Sequence, residues 1–345
     1  MSQFESAVIC LTVVCALTLA AQATTITVTN TNDNGPGSLR QALAVANNGD
    51  AIDATGVSGV ISLTTGELLV SKSVTINGPG ADVLAIDGNM ISQVFVTGTG
   101  ATVTISSFTI RNGQGNFGGG IFNVGGATLT ISNSTLSANT GAFGGGSFNS
   151  GTLVVVNSTI SGNTAGEGAG IYNAGGSNLT ISNSTISENA AGDGGASLNL
   201  GTLQMGNCTL SGNSADFAGG ILNLGTLQIG NTILNRGDSG ENIYSNGGAV
   251  MSLGYNLSSD NGNGFLMGPG DQTNTNPLLG PLQNNGGPTF THELLRSSPA
   301  INAGNPSFTP PPFFDQRGRG FRRVGDGRID IGSYEVQRHR HRLPY

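Results

Sequence analysis

The chain has no tryptophan, only three cysteines, and charged side chains at just 10% of its positions. Each shortage excludes something. Without tryptophan, and with aromatic residues at 6%, little ring surface is offered for stacking on sugars. Cys10 and Cys15 lie in an apolar N-terminal run, which leaves Cys208 alone in the rest of the chain. A lone thiol forms no intramolecular disulfide, and this one occupies a repeat position held elsewhere by Ser134, Ser158 and Ser184. It reads as a small buried residue rather than a nucleophile. Basic residues are scarcer still: between Thr24 and Leu295 there are only Arg40, Lys72, Arg111 and Arg236. An acidic surface of that kind repels nucleic acid and polyanionic glycans, so neither is expected as a ligand along its length. The one long apolar run, Ala7 to Ala20, covers 14 residues. That is short of the roughly 20 a membrane-spanning helix needs, so no integral span is expected.

What the chain has in quantity is glycine, 57 residues, and a repeat. Between Thr102 and Gly248 one phrase recurs six times, as in TLTISNSTLSANTGAFGGGSFNSG and TLVVVNSTISGNTAGEGAGIYNAGGS, each copy 23 to 26 residues long. Such a period marks a solenoid. Inside each copy, short runs rich in Thr, Ile, Leu and Val alternate with Asn-Ser, Asn-Thr and Gly-Gly-Gly, which break strands and permit positive φ. No stretch of ten residues carries an apolar face at helical spacing. Three short strands and three turns per copy predict an all-β fold, one coil of a parallel β-helix for each repeat.

Asparagines recur at fixed offsets in three columns. One is Asn133, Asn157, Asn183, Asn207 and Asn231; a second is Asn139, Asn163, Asn189 and Asn213; a third is Asn123, Asn149, Asn173, Asn199 and Asn223. With coils stacked about 4.8 Å apart, these side chains can hydrogen-bond along the stack and satisfy amides that would otherwise be costly to bury. Two apolar columns, Ile131, Val155, Ile181, Met205, Ile229 and Phe122, Phe148, Tyr172, Leu198, Leu222, are expected to fill the interior. The glycosylation-like triplets at Asn133, Asn157, Asn183 and Asn207 read as turns facing the core, and the glycine runs as tight corners rather than phosphate loops.

The ends differ from the middle. Residues 1–23 read as a secretory leader, with Ala21-Gln22-Ala23 as the small-residue cleavage site and Thr24 as the first residue afterwards, although Met1 to Ser6 carries no Lys or Arg. Residues 24–50 read as a cap: a strand over Thr25–Thr29, then one helix from Pro36 to Asn47 with Ser38 as N-cap, plugging the first coil. Residues 51–101 hold three less regular strand-and-turn rounds, so the coils span 51–248. Residues 249–335 form a module dense in Gly, Pro and Asn turns, expected to cover the last coil, with one helical turn over Thr291–Leu295. A basic tail, 336–345, follows; Arg317, Arg319, Arg322, Arg323 and Arg328 lead into it.

The corners Gly-Gly-Gly-Ile-Phe-Asn123, Gly-Gly-Gly-Ser-Phe-Asn149 and Gly-Ala-Gly-Ile-Tyr-Asn173 resemble bacterial secreted right-handed parallel β-helix proteins with polymorphic-outer-membrane-protein-type repeats. Asn276-Pro-Leu-Leu-Gly-Pro-Leu, Asn285-Gly-Gly-Pro-Thr, Ser298-Pro-Ala-Ile-Asn-Ala-Gly, Asp315-Gln-Arg-Gly and Asp330-Ile-Gly-Ser-Tyr-Glu are similar to the C-terminal module called the choice-of-anchor domain. The resemblance implies a right-handed coil, export, and a place at or near the cell surface. Ten residues follow Glu335, with no apolar span; soluble export, or attachment through a partner, is therefore expected.

Two functions compete. A passive elongated module would adhere to, or display itself on, an extracellular polysaccharide or cell-surface component as a monomer. A lyase or hydrolase of the pectate-lyase-like kind would need carboxylates converging on Ca²⁺, or a carboxylate pair about 5–9 Å apart. In the repeats, Glu167 and Asp193 stand four residues after Asn163 and Asn189, and Asp216 three after Asn213. Stacking could bring these three within reach of one sugar or one Ca²⁺, the single cofactor such a cluster would take. Phe143 and Phe217, with Phe117, mark a loop edge beside them. No catalytic residue is assigned, and the scaffold is the expected function.

Overall fold

The computed structural model describes residues 23–325 and 327–337. Nearly all of the expected leader, and the tail from Arg338 onward, lie outside these residues. The chain winds as a parallel β-solenoid, with register partners 24 or 26 residues apart through the middle coils, as in Thr128↔Thr152 and Thr152↔Asn178. Three sheets run along it. The first holds ten strands, from Thr25–Thr27 to Ala249–Gly254; the second nine, from Gly59–Ser62 to Leu257–Ser258; the third eight, from Leu68–Val70 to Ile243–Ser245.

The middle coils carry a fourth strand where three were expected. Gln114–Phe117, Thr140–Phe143, Thr164–Glu167 and Ala190–Asp193 form a short sheet of their own. Half of its residues are Gly or Ala, which are depleted in strands, so only the ladder to the neighbouring coil marks them as strands. Residues 51–101 make two coils rather than three rounds, beginning at Ala51–Asp53 and Thr75–Asn77, because irregular loops fill the remaining length.

Side-chain alternation decides what is inside. Leu129 and Ile131 point in while Thr128, Thr130 and Ser132 point out, and the same parity holds in every copy. Leu153, Val155, Ile160 and Ile171 supply one coil's share of a core that runs from Val28 to Leu266. Each such side chain contributes about 1.5–3 kcal/mol on burial.

The helix is Leu39–Val45, shorter at both ends than the Pro36–Asn47 segment the sequence suggests, with Ser38 Oγ accepting from Gln41 N at 3.1 Å. It buries Leu39, Ala42 and Leu43 in the common core, as a plug should. At the other end the coil does not stop at Gly248. Ala249–Gly254 and Leu257–Ser258 join the first and second sheets before the chain leaves the stack.

From there the C-terminal residues turn back along the flank instead of simply covering the last coil. Thr291–Leu294, read as a helical turn, is a strand in an antiparallel hairpin with Leu279–Gln283. Gln316 Nε2 donates to Thr159 Oγ1 at 2.9 Å, Thr185 Oγ1 donates to Gln316 Oε1 at 2.6 Å, and Ser333 N donates to Thr209 Oγ1 at 3.0 Å. Those three threonines are the outward residues of consecutive coils in the second sheet.

Candidate functional site

Two asparagine columns make continuous internal ladders. Asn123, Asn149, Asn173 and Asn199 each donate Nδ2 to the Oδ1 of the next member, ending on Asn223, at 2.7–2.8 Å. Asn139, Asn163 and Asn189 do the same toward Asn213 at 2.8–2.9 Å. The column Asn133, Asn157, Asn183, Asn207 and Asn231 behaves differently. Its residues sit at φ between 48° and 53°, the left-handed turn that Asn tolerates. Their side chains link only in pairs, Asn183 to Asn157 and Asn231 to Asn207. Asn133, Asn157 and Asn207 are half-buried rather than turned into the core.

The column Phe122, Phe148, Tyr172, Leu198 and Leu222 lies on the outer face of the third sheet, not inside the coil, although Leu198 and Leu222 are buried there in a separate small cluster with Ala218. In each strand it is flanked by inward residues, Ile121 and Asn123 in the first case, so period-two alternation forces it outward. The column continues in register as Leu69, Val96, Phe122, Phe148, Tyr172, Leu198, Leu222 and Tyr244 over the whole third sheet. Phe117 and Phe143 of the short sheet lean onto it. Phe117 stacks on Phe143 at 5.8 Å, Phe143 meets Tyr172 edge-on at 5.5 Å, and Phe148 stacks on Tyr172 at 5.0 Å. The result is an external aromatic ridge of five rings with Phe117 42% exposed. At its N-terminal end lies a cleft of about 300 Å³ lined by Glu67, Gln93, Gln114, Asn116, Phe117 and Phe122.

The carboxylates border this ridge. Phe117, Phe143, Glu167 and Asp193 are register partners in one column of the short sheet, which puts Glu167 and Asp193 on adjacent coils. Burial, and then the charge of Glu167, raise the Tyr172 phenol above its ordinary value. Asp216 does not join them in register: it sits in an exposed loop where the short sheet has ended, its N–H donating to Gly192 O at 2.9 Å. Phe217, beside it, is 56% exposed and leans toward Tyr244 at 6.1 Å. Among the described residues no three of His, Cys, Asp and Glu form a group that could hold a metal ion.

The family model of the right-handed β-helix region matches residues 58–235, just over half of the chain. The chain belongs to the right-handed β-helix family. Searches of curated proteins and of solved structures find no match.

Elsewhere in this β-helix, a polar cluster around Asp315, Arg317 and Arg323 is structural. Asp315 holds the Arg317 guanidinium at 2.5 Å, and that guanidinium lies between the Phe321 and Tyr334 rings, 3.9 and 3.7 Å from their centres. Arg323 is fully buried and donates Nη2 to Gly332 O at 2.6 Å and to Asn207 Oδ1 at 3.2 Å. Arg317 and Arg323 are therefore interior ties of the C-terminal region, not part of a solvated basic end. His292 is also consumed, with Nδ1 against Gly280 O at 2.7 Å and Nε2 against Ser187 Oγ at 2.9 Å; burial lowers its pKa. Arg111 is paired with Asp87 at 2.9 Å. Cys208 lies wholly buried in the Ser134–Ser158–Ser184 position, its thiol pushed up to about 12 chiefly by desolvation. Among the described residues no helix is long and apolar enough to cross a membrane.

Proposed function

We propose that this β-helix is an exported, non-catalytic scaffold that adheres to an extracellular polysaccharide or cell-surface component along the aromatic ridge. The observation that carries the reading is the ridge itself: five rings in mutual contact on the outer face, where nothing in the core requires them. A contiguous apolar strip on the outside of a chain of this composition marks an interaction surface. Its coil-by-coil spacing suits weak contacts repeated along an extended polymer, which sum to useful avidity.

Two of the groups a lyase or hydrolase could recruit as a base are committed elsewhere. Arg111 serves Asp87, and His292 serves Ser187 and Gly280. Glu167 and Asp193 act in this reading as a polar border that orients hydroxyl groups beside the rings. The test is incubation of the purified protein with polygalacturonate and Ca²⁺. Intact polymer is expected; unsaturated products that disappear in Glu167→Ala/Asp193→Ala protein would replace the scaffold with a lyase.

A further inference from the structure

Asp50 closes the junction between the N-terminal cap and the first coil. Its carboxylate accepts three hydrogen bonds: from Thr24 N at 2.7 Å and Thr24 Oγ1 at 2.9 Å on Oδ1, and from Asn47 N at 2.8 Å on Oδ2. The residue is only 3% exposed. The next residue, Ala51, also ties to Thr24 across the first sheet, its N–H donating to Thr24 O at 2.8 Å. Among the described residues Asp50 has no ion-pair partner, and the N–H groups of Asn47 and Thr24 hold its carboxyl below the usual value, so the group facing the Thr24 nitrogen is a carboxylate. Independently, Ala21-Gln22-Ala23 places a small-residue cleavage pattern immediately before Thr24.

We propose that hydrolysis of the Ala23–Thr24 peptide bond is what completes this site. A leader peptidase adds water across the bond; Ala23 leaves with the new carboxylate, and the Thr24 nitrogen takes up a proton as the new ammonium. That ammonium already stands at hydrogen-bond distance from Asp50 Oδ1, so a neutral amide contact becomes a charge-assisted one and locks the first strand onto the cap. Asp50 is thus the receptor for the processed N-terminus. The peptidase step rests on the export reading, whereas the pairing of Thr24 with Asp50 does not.

Lys72 is the only lysine in the chain, so in a Lys72→Arg background the Thr24 α-amine is the sole amine of the processed protein. Acetylating it removes the charge and keeps one N–H. The acetylated protein is expected to melt several degrees lower than the free-amine form, and the difference should shrink to near zero in Asp50→Asn protein. Equal losses with and without Asp50 would overturn the pairing. Should Asp50→Asn protein not fold, a chain retaining Gln22-Ala23 replaces it: a lower melting temperature than the Thr24 form supports the pairing, and an identical one overturns it. N-terminal sequencing of the exported protein tests the other half separately. Thr24 is expected, and any other first residue overturns the cleavage while leaving the pairing result intact.

Discussion

Phe148 and Tyr172 lie face to face on adjacent coils, ring centres 5.0 Å apart and planes 9° from parallel, on the outside of the solenoid. Their neighbours in sequence, Asn149 and Asn173, are hydrogen-bonded to each other on the inside at 2.7 Å. One strand residue thus builds the core ladder and the next builds the surface.

Breaking the inner ladder should be costly. Asn173→Leu would leave Asn149 Nδ2 only its bonds to Asn178 O and Gly151 O, and would take the ladder donor from the buried Asn199 Oδ1 and from Thr202 O. The expected loss is on the order of 3 kcal/mol. Urea unfolding should show a lower midpoint with an unchanged slope.

The flank contact of the C-terminal residues should be separable from the coil itself. Gln316→Ala removes the bonds to Thr159, Thr185 and Thr289 at once. A destabilisation of about 2 kcal/mol is expected, and limited proteolysis should cut first in residues 276–337 rather than in the repeats. Cleavage that still begins within the repeats would contradict this.

Burial, and then the negative charge of Asp330, push the Glu335 carboxyl up to about 8 from its ordinary value of 4.5. The folded chain then keeps a proton that the unfolded chain releases, so raising the pH between those values favours unfolding. The contribution is full below about pH 4.5, declines as pH rises, and is gone above about pH 8. Wild-type protein should lose melting temperature relative to Glu335→Gln protein from pH 5 to pH 8. His292, lowered by burial, contributes in the opposite sense below its ordinary pKa, and it cancels in this comparison because both proteins carry it.

Cys208 should be inert in the folded state. With its thiol buried and pushed up to about 12, alkylation at pH 8 is expected only on unfolding, and fast labelling of native protein would contradict the placement. Cys208→Ser restores the residue found in the neighbouring coils and should change stability by less than about 1 kcal/mol.

The coil was legible because its period, its turn residues and its inward aliphatics repeat without interruption. The placing of Phe122, Phe148 and Tyr172 was readable too, since Asn123, Asn149 and Asn173 follow them directly and adjacent strand residues cannot both face inward. Apolar character suggested the interior, and alternation overrules it. The short fourth sheet was hidden because Gly141, Gly166 and Gly192 give no strand signal of their own. The route of residues 276–337 was beyond local reading: it depends on Gln316 and Ser333 finding threonines more than a hundred residues away. Asp50 was missed for the same reason, its partner Thr24 lying across the cap.

The central claim is that the aromatic ridge binds an extended glycan without cutting it. A glycan array, read with and without Ca²⁺ for wild-type, Phe148→Ala and Tyr172→Ala proteins, tests it most directly. Loss of each ring should weaken binding about two- to tenfold, from contacts worth roughly 0.5–1.5 kcal/mol. Melting temperatures should fall little, and mass spectrometry should recover the bound glycans uncut. Wild-type binding unaffected by either substitution, or glycans shortened by the wild-type protein, would contradict the account.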